Sequence, residues 1–212
     1  MARIWYMKAA VALSRVRMHR PAGLGPTFTT AQARAAGIAP RDLYAWRDSG
    51  AVMELSRGVY RDAHAPESVH LDLLAVSLRA PAAVICTESA LALHELIDDV
   101  PLAVTLAVPR GTHAPAIVFP PAIAARFDPA TFTLGVEQFE AAPGEFVPVY
   151  SAARSVVDVM RLRHQFGESM ALHALGRYVR SSGRREIPTL LELARTLGVE
   201  TAVRSAVEAV LA

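Results

Sequence analysis

The stretch TTAQARAAGIAPRDLYAWRDSGAVMELSRGVYR, residues 29–61, holds three kinds of local pattern in one short segment. AQARAA predicts a short helix that Thr29 or Thr30 can cap, because a hydroxyl oxygen there accepts a hydrogen bond from a free backbone N–H. Gly37 follows at a position where helices commonly end. Pro40 then lies near the first turn of a second helix, RDLYAWRDS, where its missing N–H costs nothing.

A short β-hairpin is predicted directly after the second helix. AVMELSRGVY places apolar side chains at Val52, Leu55 and Val59, with SRG as the turn between two strands. Within the second helix Leu43 and Trp46 lie three residues apart, so they share one face and are expected to pack inward.

Two short helices joined at a glycine and followed by a basic hairpin are the parts of a winged helix-turn-helix. Its second helix enters the major groove of DNA, while the hairpin touches a neighbouring phosphate or the minor groove. Arginine binds guanine O6 and N7 or a phosphate, and tyrosine commonly binds phosphate. The predicted DNA-binding residues are Thr30, Arg41, Tyr44, Arg47 and Arg57. The same patterns also fit a small fold with surface arginines.

The charged residues are distributed unevenly along the 212 residues, although the net charge is only +2. Residues 1–61 carry ten Lys or Arg against three acidic residues, a net charge of +7, whereas residues 62–212 carry twelve against seventeen, or −5. Basic segments favour DNA, because each neutralised phosphate releases condensed counterions. We therefore predict a winged helix-turn-helix domain over residues 1–62, sufficient for binding double-stranded DNA, and a second domain over residues 63–212.

The second domain is predicted to be a mixed α/β domain with a small sheet and C-terminal helices, which makes the whole chain α+β. The strand candidates are AAVIC, LAVTLAV, AIVF, IAARF, FTLGVEQ and EFVPVY. PESVHLDLLAVSLRA, opened by Pro66, and TESALALHEL, capped by Thr87, are helix candidates among them. The C-terminal helices are SAARSVVDVMRLRHQF, ESMALHALGRYVRSS, PTLLELARTL and ETAVRSAVEAVLA. One further helix is predicted over residues 4–18, before the break HRPAGLGPT.

Catalysis is not indicated by the residue spacing. Glu88 and Glu95 are seven apart on one predicted helix, too far to share a proton or a metal ion, and His94 fits a packed core histidine. Ser151 is best explained as a helix cap. The single Cys86 fits a buried thiol in a reducing compartment. No apolar run approaches the ~18–20 residues that span a bilayer. We expect a cytoplasmic protein that is not an enzyme and needs no metal or cofactor.

Several arginines cluster locally in the acidic second domain. They form either a solvated helix face or a surface that contacts phosphates or a partner protein. The candidates for that surface are Arg161, Arg163, Arg177, Arg180 and Arg184, with Arg185 beside them.

Segments from both halves resemble, in the same order, the AbiEi antitoxins of the bacterial abortive-infection type IV toxin–antitoxin systems. FTTAQARAAGI, LYAWRDSGAV and SRGVYR are similar to that family's N-terminal winged domain. VICTESALALHEL, LAVPRG, RFDPATFTLGVE, VPVYSAARSVVDVMRLRHQFGESMALHAL and LLELARTLGV resemble its C-terminal antitoxin domain. The resemblance covers residues 28–212.

This resemblance implies two roles. The N-terminal domain is expected to repress its own operon by binding inverted repeats in the promoter. The C-terminal domain is expected to counter a nucleotidyltransferase-like toxin, without a stable complex being required. Two other classes stay open: a DNA-targeted nuclease or nucleotidyl-transfer enzyme, which should show clustered carboxylates in a cleft, and a ligand-sensing regulator, which should show a closed apolar pocket.

Overall fold

The computed structural model describes residues 20–114 and 116–211, and these divide into two compact units. The first unit contains the described residues up to Pro81 together with Glu140–Phe146, and the second contains the others. The helix predicted over residues 4–18 lies outside the described residues.

The first unit is a three-stranded antiparallel sheet with three helices. Its elements in chain order are β1 (Thr27–Thr29), α1 (Thr30–Ala35), α2 (Pro40–Asp48), β2 (Val52–Ser56), β3 (Val59–Asp62) and α3 (Leu71–Arg79). The strand order is β1-β3-β2. The two helices and the hairpin predicted from the sequence are confirmed. Strand β1 was missed, because three residues are too few to show an alternating pattern.

Local hydrogen bonds explain where α1 begins and ends. Of the two candidate caps, Thr29 is the one used: its hydroxyl accepts from the Gln32 N–H at 3.1 Å, and the Gln32 side chain accepts from the Thr29 N–H at 2.7 Å. This reciprocal pair is a capping box. Gly37 adopts a φ of 85°, which ends the helix in a conformation that favours glycine.

Apolar packing joins all three helices to the sheet. The main cluster of the first unit includes Phe28, Leu43 and Trp46, and both helix residues face inward as predicted. A second cluster contains Leu55 and Val59 of the hairpin with Ala75 of α3. The first unit therefore extends beyond residue 62. The assignment of DNA binding to residues 1–62 stays a prediction.

The second unit combines a mixed sheet with a group of C-terminal helices, which agrees with the predicted α+β class. Its elements are β4 (Val84–Ile85), α4 (Thr87–Leu93), β5 (Val104–Pro109), β6 (Ala122–Phe127), β7 (Val136–Ala142), β8 (Glu145–Tyr150), α5 (Ala152–Arg161), α6 (Arg163–Phe166), α7 (Glu168–Ser182), α8 (Ile187–Thr196) and α9 (Glu200–Leu211). The strand order is β6-β5-β4-β8-β7, with β5 parallel to β6 and antiparallel to β4. Glu140–Phe146, which are the end of β7, the turn after it and the start of β8, belong to the first unit.

Two strand predictions in the second unit were wrong in extent. AIVF forms no strand: Ile117 is followed by a turn that leads into consecutive prolines, which cannot donate to a sheet. FTLGVEQ contributes to β7 only from Val136, because a 3₁₀ turn over Pro129–Thr131 and a further turn precede it.

Three helix predictions also need correction. The helix assigned to Pro66 begins only at Leu71, because the Ser68 hydroxyl accepts from the His70 N–H and donates to the Ala141 carbonyl, which fixes a turn before it. Thr87 does not cap α4: it is the first helical residue, with a φ of 43°, and the cap position is Cys86. SAARSVVDVMRLRHQF divides at Leu162 into α5 and α6.

Helix α5 lies at the centre of the second unit's core. Its side chains Val156, Val157 and Met160 are buried among residues of α4, α7, α8 and α9. Ser151 caps α5 as predicted, accepting a hydrogen bond from the Arg154 N–H at 3.3 Å. None of the helices within the described ranges is long and apolar enough to cross a membrane.

Candidate nucleic-acid interface

Helix α2 exposes one tyrosine and two arginines on its outer side, because Leu43 and Trp46 occupy its inner face. Tyr44 is 49% exposed, and the Arg41 and Arg47 side chains also lie at the surface. The guanidinium of Arg47 lies over the Tyr44 ring, 5.1 Å from its centroid. Tyr44 and Arg47 therefore form one surface on α2.

Carboxylates accompany both arginines of α2. Arg47 donates from Nε and Nη2 to Asp48 Oδ1 at 3.0 and 2.9 Å, and this hydrogen bonding raises the pKa of the Arg47 guanidinium. Arg41 Nε lies 3.4 Å from Asp42 Oδ1. Arg47 thus makes two hydrogen bonds to its neighbouring carboxylate, whereas Arg41 has a single longer contact.

The wing is the short turn between β2 and β3. Gly58 adopts a φ of 75°, and its N–H donates to Glu54 Oε1 at 3.1 Å. The Gly58 carbonyl accepts from the backbone N–H of Thr30 at 2.9 Å and from its hydroxyl at 3.3 Å. Thr30 therefore ties the start of α1 to the wing, and a contact from Thr30 to DNA stays a prediction. Arg57 is exposed in the turn, and its carbonyl accepts from Arg79 Nη1 at 3.2 Å.

One of the six basic residues described within residues 20–61 is buried and does not lie at the surface of the first unit. Four of the ten basic residues of residues 1–61 lie in residues 1–19, outside the described chain. Arg61, one of the ten basic residues counted in residues 1–61, is only 1% exposed. It donates to the Glu145 carboxylate, to the Thr27 hydroxyl and, at 2.7 Å, to the Pro66 carbonyl. Arg61 is therefore a buried structural residue.

The arginine surface predicted in the second unit is interrupted by internal partners. Arg161 donates to Asp158 at 3.0 Å, Arg163 donates to the Met160 carbonyl at 2.9 Å, and Arg177 donates to Asp98. Arg180, Arg184 and Arg185 are exposed around the end of α7. Arg161, Arg163 and Arg177 thus have partners within the unit, and the arginine surface as a contact for phosphates or a partner protein stays a prediction.

A buried ion pair that the sequence analysis missed lies beneath Arg161. Arg154 and Asp158 are fully buried, with Nε donating to Oδ2 at 2.8 Å. Arg154 Nη1 also donates to the carbonyls of Thr131 and Leu134, each at 2.8 Å, and its guanidinium lies 4.4 Å from the Tyr150 ring centroid. Burial raises the pKa of Asp158, while the two arginines oppose that shift. The i, i+4 spacing of Arg and Asp was the available signal.

The residues weighed for catalysis lie apart or inside the fold. The prediction of one helix carrying Glu88 and Glu95 was wrong, because α4 ends at Leu93. His94 is partly buried and its Nε2 lies 2.8 Å from the Tyr150 carbonyl. Burial raises the pKa of Cys86 to about 12, so its thiol stays protonated at neutral pH. Within residues 20–114 and 116–211, no group of three His, Cys, Asp or Glu side chains is placed to hold a metal ion.

Two helices joined at a glycine turn, a three-stranded sheet and a two-residue wing define the first unit as a winged helix-turn-helix module. Its residues 22–61 match the protein family described as "Transcriptional regulator, AbiEi antitoxin". The match confirms the resemblance to AbiEi antitoxins over the winged segment. The matched segment ends at Arg61, so the likeness of residues 62–212 to an antitoxin domain stays a prediction. Comparison with curated proteins gives no match.

Proposed function

We propose that this chain is a cytoplasmic transcriptional autorepressor and antitoxin whose winged unit binds inverted repeats in its own promoter. The observation that carries the proposal is the exposed Tyr44–Arg47 surface of α2, with Arg57 on the wing, inside the segment that matches a transcriptional regulator family. Helix α2 enters the major groove, where Arg47 binds a base edge and Tyr44 binds a phosphate. Arg41 and Arg57 add phosphate contacts at either side.

Arg47→Ala and Arg57→Ala are expected to weaken DNA binding in different ways. Loss of a base contact should cost about 1–3 kcal/mol at Arg47 and relax the preference for one base pair, whereas loss of a phosphate contact at Arg57 should weaken binding to every sequence alike. Leu43→Ala is the structural contrast, because truncating a core leucine costs about 2–5 kcal/mol of folding free energy. Titrations of promoter and shuffled DNA, with thermal unfolding of each variant, separate these effects. Equal losses for both arginine variants on both DNAs would contradict the assigned roles.

The second unit, in this proposal, counters a nucleotidyltransferase-like toxin. Its exposed Arg180 and Arg184 lie in an otherwise acidic part of the chain, and exposed charges of one sign favour a partner of the opposite sign. Contact with the toxin is transient or indirect, so rescue of growth is a better assay than isolation of a complex.

Arg180→Ala with Arg184→Ala is expected to abolish most of the rescue when the full chain is co-expressed with its toxin. The matched control is Arg195→Ala with Arg204→Ala, which removes the same charge from arginines already bonded to Glu192 and Glu200. The control should still rescue growth, and immunoblotting should show equal amounts of each variant. Rescue by both double variants would contradict a role for Arg180 and Arg184 in countering the toxin. Failure of the wild-type chain to rescue would overturn the antitoxin role itself.

A further inference from the structure

We propose that Asp48 is a positioning residue that presents Arg47 end-on to a guanine in the major groove. The inference rests on the proposed DNA-binding function and adds to it the residue that sets base preference. It assigns Asp48 no contact with DNA. Its task is to hold the guanidinium of its neighbour in the orientation that a guanine requires.

The hydrogen bonds between the two side chains leave the correct edge of Arg47 available. Asp48 Oδ1 accepts from Nε and from one hydrogen of Nη2, which together form the side edge of the guanidinium. The tip of the group, formed by Nη1 and the second Nη2 hydrogen, takes no part in this contact. Those two donors match the O6 and N7 acceptors of guanine. The guanidinium also lies over the Tyr44 ring, which gives Arg47 a second contact on α2.

Helix stability does not account for an aspartate at this position. Asp48 is the last residue of α2, and a negative charge at the C-terminal end of a helix is opposed by the helix dipole. The ion pair is also exposed, with 66% of the Asp48 side chain in contact with solvent, and exposed pairs add little stability. The clearest consequence of Asp48 is therefore the fixed orientation of Arg47.

A carboxylate beside the guanidinium also disfavours the main competing contact. Phosphates attract any exposed arginine, and this attraction supplies binding that is independent of sequence. The negative charge of Asp48 repels phosphate oxygens but leaves the neutral guanine edge accessible to the tip of Arg47. Removing the charge should therefore strengthen binding to unrelated DNA while it weakens discrimination.

The test compares Asp48→Asn with wild type in the full chain, using promoter DNA in which single guanines are replaced by 7-deazaguanine, which lacks the N7 acceptor. At one guanine the wild type is expected to lose about tenfold in affinity, the range of a bidentate contact. Asp48→Asn and Arg47→Ala should both be insensitive to that replacement. Asp48→Asn alone should bind shuffled DNA more tightly than wild type does.

Asp42→Asn is the matched control, because it removes the same charge next to an arginine on the same helix. The pair that it breaks is a single 3.4 Å contact rather than two hydrogen bonds, so sensitivity to 7-deazaguanine should persist. Persistence of that sensitivity in Asp48→Asn, or its equal loss in Asp42→Asn, overturns the inference. Equal weakening of Asp48→Asn on all DNAs does so too. A wild-type chain with no preference for promoter DNA overturns the proposed function as well.

Discussion

Replacing Asp158 with alanine is expected to lower the free energy of unfolding by about 3–5 kcal/mol. The carboxylate accepts hydrogen bonds from Arg154 and Arg161, and both members of the Arg154–Asp158 pair are fully buried. Without it, Arg154 keeps a positive charge inside the second unit, surrounded by carbonyl oxygens and the rings of Phe127 and Tyr150. This charge cannot reach water in the folded state. Losing its partner therefore lowers the folding stability more than losing the partner of a surface arginine would.

Denaturant unfolding of the full chain, followed by circular dichroism, measures this loss. Asp98→Ala is the control, because it also removes the partner of an arginine, Arg177, but at the surface. It should leave the unfolding midpoint unchanged. An Asp158→Ala variant as stable as wild type would contradict the account of a buried charge that depends on its partner.

Glu145→Ala is expected to destabilise the first unit by a similar amount, about 3–5 kcal/mol. Glu145 accepts from Arg61 with one oxygen and from the Thr27 N–H with the other, at 2.9 Å, so it joins neighbouring strands β1 and β3. Its loss leaves the buried Arg61 charge without a carboxylate partner. The affinity for promoter DNA should fall with the folded fraction, because the wing is built on β3.

The control for Glu145→Ala lies in the same segment, Glu140–Phe146. Glu140 is exposed and accepts a hydrogen bond from the nearby Gly144 N–H at 2.7 Å, so Glu140→Ala should shift the unfolding midpoint far less. Isothermal titration with DNA, run alongside thermal unfolding, measures both effects. If Glu145→Ala unfolds and binds like wild type, the ion pair contributes nothing to the first unit.

The same contacts change one expectation drawn from the sequence. Residues 1–62 were expected to suffice for DNA binding, yet a fragment ending there lacks Glu145 and the α3 residue Ala75 that packs on the hairpin. We now expect that fragment to be much less stable than the full chain, because Arg61 loses its carboxylate and Leu55 and Val59 lose their apolar cover.

Local patterns were enough to predict the winged module. The spacing of Leu43 and Trp46 gave the inner face of α2, and Gly37 gave the end of α1, because both depend on neighbouring residues. Partners distant in sequence were not accessible in this way. Arg61 was counted toward the positive charge of the basic segment, since nothing near it in the sequence shows that it pairs with Glu145. In the second unit Arg161 and Arg177 looked free for the same reason.

The binding of the full chain to its own upstream DNA, against shuffled DNA of equal length, tests the central claim most directly. Affinity should be measured over a range of salt concentrations. We expect the upstream DNA to bind more tightly by about a thousandfold or more. For both DNAs, the logarithm of the binding constant should fall linearly with the logarithm of the salt concentration. Equal affinity for the two DNAs, or no binding to either at low salt, would contradict the account of the winged unit as a sequence-specific DNA-binding module.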